Sequence, residues 1–123
     1  MTKKAPPIDD DKARELLTRE RKRIESALAD IERMRQSEIS EVDTATAPED
    51  DAEVIEEETV DRAVEEQLRR ELEAIERAEQ RLADGAYGLS VESGEPIPAQ
   101  RLEAVPWAER TAEEQQRYER SPG

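Results

Sequence analysis

Two long stretches of the chain carry apolar side chains at every seventh position and contain neither proline nor glycine. These stretches, residues 11–42 and 52–84, have the following aliphatic repeat positions: Leu17, Ile24 and Ile31 in the first, and Leu68, Ile75 and Leu82 in the second. The companion positions hold Ala13, Ala27 and Met34 in the first stretch, with Glu20 as the one exception, and Val64 and Ala78 in the second. A narrow apolar line with this period is typical of coiled coils, so the pattern predicts two helices of similar length.

The segment between the two stretches favours a turn, because it contains Pro48 and several Thr and Asp residues. Each apolar line is too narrow to stabilise its helix alone, and a short connection lets the two helices pack against each other. We therefore expect an antiparallel coiled-coil hairpin over residues 11–84, with its tip at 43–52. Residues 1–10 are expected to form a flexible tail.

The last part of the chain, residues 85–123, has a different character, since it holds all four glycines and four of the seven prolines. This composition predicts a small, turn-rich knob, so the expected fold class is all-α dominated, with a hairpin and a knob. Thr111 and Glu114 fit a capping box, which predicts a final helix from about 112 to 120. We expect Trp107 to lie in the core of the knob, with an exposed partner contact as the alternative.

Composition excludes several kinds of chemistry. The 123-residue chain has no Cys and no His, so disulfides, zinc sites with the usual ligands and Cys or His nucleophiles are all absent. Carboxylates are numerous, but they lie on predicted solvated helices without an apolar pocket that would raise a pKa. We therefore expect no enzymatic activity, no catalytic residues and no cofactor.

Negative charge is concentrated in one part of the chain. The net charge is −14, and the segment from Glu38 to Asp61 contains eleven acids and no Lys or Arg. This segment is either a solvated cap that limits aggregation or a probe that enters a positively charged or metal-containing cavity of a partner. The acidity argues against direct nucleic-acid binding. No apolar run approaches the ~18 residues of a membrane span, and no secretory signal is visible, so we expect a cytoplasmic protein.

The segment after the second predicted helix resembles the zinc-finger module of the DksA/TraR family of bacterial RNA polymerase-binding regulators. Residues 84–98 read DGAYGLSVESGEPIP, and residues 101–108 read RLEAVPWA. These pieces are similar, in the same order, to the family pattern G-x-Y-G-x-C-x-x-C-G-E-x-I followed by R-L-E-A-x-P, after which the family has C-x-x-C. The long preceding hairpin also fits the architecture that the resemblance implies.

The four positions at which the family pattern has cysteines are occupied by Ser90, Ser93, Thr111 and Glu114. Three hydroxyls and one carboxylate are not the ligands of a structural zinc site, so we expect a metal-free, zinc-finger-like knob. An unusual weak metal site is the alternative. The capping box of Thr111 and Glu114 and the turn-forming serines are expected to replace metal ligation.

The resemblance also implies a function. Family proteins insert the hairpin into the secondary channel of RNA polymerase, where acidic tip residues modify initiation. An ungapped count places the tip motif D-x-x-D-x-A at residues 47–52, where Asp50 and Ala52 match and Ala47 replaces the first Asp, with neighbouring carboxylates on Glu49 and Asp51. The same count places the basic positions that help some relatives bind ppGpp near Gln67, Arg70 and Ala74, of which only one is basic.

The leading hypothesis is a monomeric transcription regulator that binds RNA polymerase, with no direct nucleic-acid or membrane partner. The alternative is a coiled-coil adaptor that keeps the fold but has lost polymerase regulation. Direct DNA binding through the knob is disfavoured, because the four arginines of residues 85–123 are outnumbered by acids.

Overall fold

The computed structural model describes residues 7–42 and 51–120, and it describes side chains for residues 7–37 and 61–120. Its helices are α1 (Asp10–Val42), α2 (Asp51–Ala83), α3 (Ala99–Ala104) and α4 (Ala112–Arg120). The two long helices and α4 agree with the sequence-based bounds to within one residue. Helix α3 was not predicted, because its six residues lie in a segment that is rich in turn formers.

The start of α1 and the end of α2 each have a recognisable capping structure. Asp9 caps α1, since its Oδ1 accepts a hydrogen bond of 2.8 Å from the backbone N–H of Lys12. Helix α2 ends in a Schellman motif, in which the N–H of Ala86 bonds to the carbonyl of Arg81 (2.8 Å). Gly85 lies between these residues with a φ of 80°, a conformation that glycine adopts without strain.

Contacts divide the chain into two compact units. The first, called the terminal unit, comprises Met1–Arg21 and Glu73–Gly123, and the second, called the central unit, comprises Lys22–Leu72. Both units contain parts of α1 and α2.

The terminal unit contains most of the buried apolar side chains that the structure describes. Its buried apolar side chains come from both long helices and from the knob: Ile8, Ala13, Leu16, Leu17, Ala74, Ile75, Ala78, Tyr87, Ile97, Leu102 and Ala108. Ile8 falls within the segment that was predicted to be a tail, but its side chain is buried beside the start of α1. Arg21 and Glu79 add a two-pronged ion pair between α1 and α2, with N–O distances of 2.7 and 3.1 Å.

The knob is organised by backbone hydrogen bonds and by one tyrosine. An isolated β-bridge joins Leu89 to Pro96, and the hydroxyl of Tyr87 donates a hydrogen bond of 2.9 Å to the carbonyl of Pro106. Burial raises the pKa of Tyr87 to about 12, so the phenol keeps the proton that this bond requires. Trp107 is only half-buried, so the expectation of a full core residue was too strong.

The central unit is packed much less tightly. Among its described side chains, Ile24 is the only apolar one that is fully buried, whereas Met34 is 64% exposed and Val64 is 47% exposed. Arg35 pairs with Glu65, and Arg23 lies 3.9 Å from Glu71. Later α1 residues therefore meet earlier α2 residues, as an antiparallel hairpin requires. The fold class is the predicted one: helix-dominated, with an antiparallel hairpin and a turn-rich knob.

Candidate functional site

Ser90 forms the centre of a tight turn in the knob. Its Oγ accepts hydrogen bonds from the backbone N–H groups of Glu92 (3.1 Å) and Ser93 (3.2 Å). Its own N–H donates to the carbonyl of Glu95 (2.8 Å), and its carbonyl accepts from the N–H of Gly94 (2.9 Å). This turn is the kind of local structure that a serine side chain stabilises through the backbone.

Thr111 and Glu114 form the predicted capping box at the start of α4. The N–H of Thr111 donates to Glu114 Oε1 at 2.9 Å, and the N–H of Glu114 donates to Thr111 Oγ1 at 3.2 Å. Two backbone N–H groups at the helix start, which the helix itself cannot satisfy, thereby gain partners. The carboxylate also lies at the helix N-terminus, where the helix dipole favours negative charge.

A single short hydrogen bond joins the turn to the helix start. The hydroxyl of Ser90 donates to Glu114 Oε1 at 2.7 Å, across 24 residues of chain, and the two residues are only 5% and 6% exposed. We call Ser90, Ser93, Thr111 and Glu114 the hydroxyl–carboxylate cluster. The cluster brings together all four positions at which the family pattern has cysteines.

The cluster holds Glu114 in its ionised form. Its pKa falls to about 2, primarily because the Ser90 hydroxyl bonds to the carboxylate and secondarily because the Thr111 backbone N–H does so. The hydroxyls of Ser93 and Thr111 also lower it, and together these effects outweigh the opposing effect of burial. Ser93 completes the turn by accepting a hydrogen bond from the N–H of Glu95 at 3.2 Å.

A second polar cluster attaches α2 to the start of α4. The carboxylate of Glu109 accepts a hydrogen bond of 2.6 Å from Arg77 Nε and lies 3.8 Å from nitrogens of Arg81 and of Arg110. Arg110 also stacks on the ring of Tyr118, with its guanidinium carbon 3.8 Å from the ring centroid. Sequence reasoning did not identify this cluster, because its members are far apart in the chain and carry no local signal.

The residues predicted to form the hairpin tip lie wholly or partly outside the part of the chain that the structure describes. Glu49 and Asp50 lie outside the described residues. Asp51 and Ala52 begin α2, but their side chains lie outside the described set. Their assignment as partner-binding residues therefore stays a prediction. None of the described helices is both long enough and apolar enough to span a membrane.

A scan against protein families matches residues 91–120 to the model described as "Prokaryotic dksA/traR C4-type zinc finger". The residues of this chain do not fit zinc, because hydroxyls are poor ligands and Glu114 Oε1 is already occupied by hydrogen bonds from Ser90 and Thr111. Within the described part of the chain, no group of three or more His, Cys, Asp or Glu side chains could hold a metal.

Two curated relatives match the chain over part of its length. General stress protein 16O of Bacillus subtilis is 47% identical over 55 residues, which are 45% of this chain and 34% of the relative. The RNA polymerase-binding transcription factor DksA of Caulobacter vibrioides is 44% identical over 64 residues, which are 49% of this chain and 45% of the relative. The matched stretches therefore span less than half the length of these relatives.

Solved structures extend the likeness to most of the chain. Transcription factor DksA2 from Pseudomonas aeruginosa has a TM-score of 0.72 and 29% identity, covering 89% of this chain and 82% of that one. The RNA polymerase-binding protein and transcriptional regulator Dks from Chlamydia trachomatis L2 has a TM-score of 0.50 at 23% identity, a likeness of fold alone. The family match over residues 91–120, the relatives and the hairpin-and-knob fold agree with one another, and together they support a place for this chain in the DksA/TraR family, although the chain contains no cysteine.

Proposed function

We propose that this chain binds RNA polymerase and regulates transcription initiation by binding alone, as a cytoplasmic monomer. The observation that carries the proposal is the likeness to DksA2 over 89% of the chain, because a match of that extent includes both the hairpin and the knob. The DksA of Caulobacter vibrioides is described as an RNA polymerase-binding transcription factor, and its matched stretch is 44% identical to this chain.

The hairpin tip is the part that acts on the polymerase in this proposal. The segment Glu38–Asp61 carries eleven acids without a compensating Lys or Arg, and such a segment is attracted to a cavity lined by basic side chains or containing a hard cation. The secondary channel of the polymerase is the cavity that the family resemblance implies. Glu49, Asp50 and Asp51 supply the carboxylates for this interaction, beside Ala52.

The packing of the hairpin supports a model in which the tip acts on the polymerase and the knob serves for docking. Met34 and Val64, the heptad residues nearest to the acidic segment among those described, are largely exposed. An exposed heptad residue contributes little burial energy, so the sequence beyond it is free to serve a partner. The knob, by contrast, is held together by a buried core and by the hydroxyl–carboxylate cluster, which suits a rigid docking body.

Binding and activity can be separated in one experiment. The full chain is titrated against RNA polymerase with and without a known secondary-channel factor, and initiation is then assayed in vitro at saturating chain. The test variant replaces Glu49, Asp50 and Asp51 by their amides. The matched control replaces three exposed acids elsewhere, Glu66, Glu76 and Glu103, so that both variants lose the same charge.

We expect the parent chain to compete with the secondary-channel factor. The tip variant should bind the polymerase within about threefold of the parent but lose most of its effect on initiation, whereas the control variant should regulate as the parent does. Regulation by the tip variant at the parental level would show that the segment is a solvated cap. Failure of the parent to bind polymerase would favour the coiled-coil adaptor instead.

A further inference from the structure

The central unit has a weaker apolar core than the terminal unit. Its described heptad residues are half-buried or exposed, apart from Ile24. A two-helix seam of this kind gives less burial energy per residue than a closed core, because most of its side chains keep part of their contact with water. Polar contacts between the helices add to this seam, and their response to salt differs from that of a hydrophobic core.

The shortest of these polar contacts centres on Glu65. Its Oε1 accepts a hydrogen bond of 2.7 Å from Arg35 Nη2 across the helix pair, and its Oε2 accepts one of 2.8 Å from Arg69 Nη2 on its own helix. Arg35 also bonds to Glu32 at 3.3 Å. The side chain of Glu65 is only 15% exposed, so both carboxylate oxygens are held between guanidinium groups and partly shielded from water.

The directions of the pKa shifts of Arg35 and Glu65 agree with this geometry. The hydrogen bond with Glu65 raises the pKa of Arg35, and hydrogen bonds from Arg35 and Arg69 lower the pKa of Glu65. Each shift favours the charged form, which is the sign of an attractive ion pair. The cross-helix member of the group, Arg35, also lies only three residues before the acidic segment that begins at Glu38.

We propose that Arg35, Glu65 and Arg69 form an ion-pair latch that controls separation of the two helices in the central unit. An increase in ionic strength opens this part of the hairpin, and so does a partner that offers a competing charge to Glu65 or Arg35. The terminal unit also has a cross-helix ion pair, Arg21 with Glu79, but its buried apolar core keeps the two helices together when salt screens that pair. The latch is a property of the chain alone and does not depend on polymerase binding.

Amide hydrogen exchange of the full chain tests the latch. Peptides from residues 22–37 and 61–72 report on the central unit, and peptides from residues 73–83 report on the terminal unit as the reference. The measurements are made at about 0.05 M and about 1 M salt, between which the Debye length falls from more than 10 Å to about 3 Å. We expect exchange in the central-unit peptides to accelerate about two- to fivefold at high salt, a factor that corresponds to the usual energy of partly exposed ion pairs. Exchange in the terminal-unit peptides should change by less than about 1.5-fold.

The variant Glu65→Gln should accelerate central-unit exchange by a similar factor at low salt and should abolish most of the salt response. Glu66→Gln is the matched control, since it removes the same charge from the adjacent exposed position of α2. A double-mutant cycle with Arg35→Gln completes the test, because the second substitution should have little further effect once Glu65 is neutral. Equal behaviour of the two glutamine variants, or additive effects in the cycle, would refute the latch.

Discussion

The terminal and central units use the same two helices and the same heptad repeat, but they are stabilised differently. In the terminal unit Leu17 and Ile75 are fully buried, and the knob is attached to α2 by contacts such as that of Arg77 with Glu109. In the central unit Ile24 is fully buried, but the other described heptad residues remain half-buried or exposed. The difference indicates that, in this chain, most of the heptad line is closed from water in the unit that also contains the knob.

The largest expected effect is a large-to-small substitution in the terminal core. Ile75→Ala removes a fully buried side chain and leaves a cavity, so it should lower the free energy of unfolding by about 2–5 kcal/mol. The matched substitution Val64→Ala, at a half-exposed heptad position, should change it by less than about 0.5 kcal/mol. Urea unfolding followed by circular dichroism measures both values. Similar losses in the two variants would show that the units are packed alike.

The next effect concerns the bond that joins the turn to α4. Ser90→Ala removes the hydroxyl that donates to Glu114 and leaves a buried carboxylate with one partner fewer, so it should cost about 1–3 kcal/mol. Ser26→Ala, at an exposed position of α1, is the control and should be neutral or slightly stabilising. If Ser90→Ala unfolds at the same urea concentration as the parent, the hydrogen bond between Ser90 and Glu114 contributes nothing to stability.

The pH dependence of stability gives an effect that is more specific to the Glu114 carboxylate. The pKa of Glu114 is about 2 in the folded chain, against 4.5 for the ordinary carboxyl. A depressed pKa in the folded state adds stability above the unfolded value, and this contribution is lost as the pH falls from about 4.5 towards 2. The parent should therefore lose more stability than the variant Glu114→Gln as the pH falls through this range. The midpoints of urea unfolding at several pH values measure the difference. Parallel curves for the two proteins would contradict the assignment.

The smallest expected effect is at the tip. Asp50→Asn removes one of many like charges, so the free energy of unfolding should stay within about 0.5 kcal/mol of the parent. Thermal melting at low salt, where repulsion is strongest, is the most sensitive measurement. A loss of more than about 1 kcal/mol would mean that the tip is held by specific contacts and is not free to serve a partner.

Local sequence patterns predicted the elements whose determinants lie close together in the chain. The period-seven repeat predicted α1 and α2, and the three-residue spacing of Thr111 and Glu114 predicted both the capping box and α4. Such features depend on helix geometry alone, so they can be identified without a tertiary fold.

Features that join distant residues could not be predicted in this way. The bond between Ser90 and Glu114 spans 24 residues, and the pair of Arg77 with Glu109 spans 32. Helix α3 has too few residues to show a period, and the partial exposure of Trp107 depends on how the knob packs. The resemblance to DksA/TraR proteins aligned the four lost cysteine positions, but only the fold shows that their replacements form one hydrogen-bonded cluster.

Thermal melting of the full chain with and without a strong chelator, together with metal analysis of the purified protein, tests the central claim most directly. The claim is that hydrogen bonds among Ser90, Thr111 and Glu114 stabilise the knob in place of zinc. We predict identical melting curves and no stoichiometric metal, in contrast to zinc-finger domains that unfold when the metal is removed. A stoichiometric zinc, or a large fall in the melting temperature with chelator, would contradict the account.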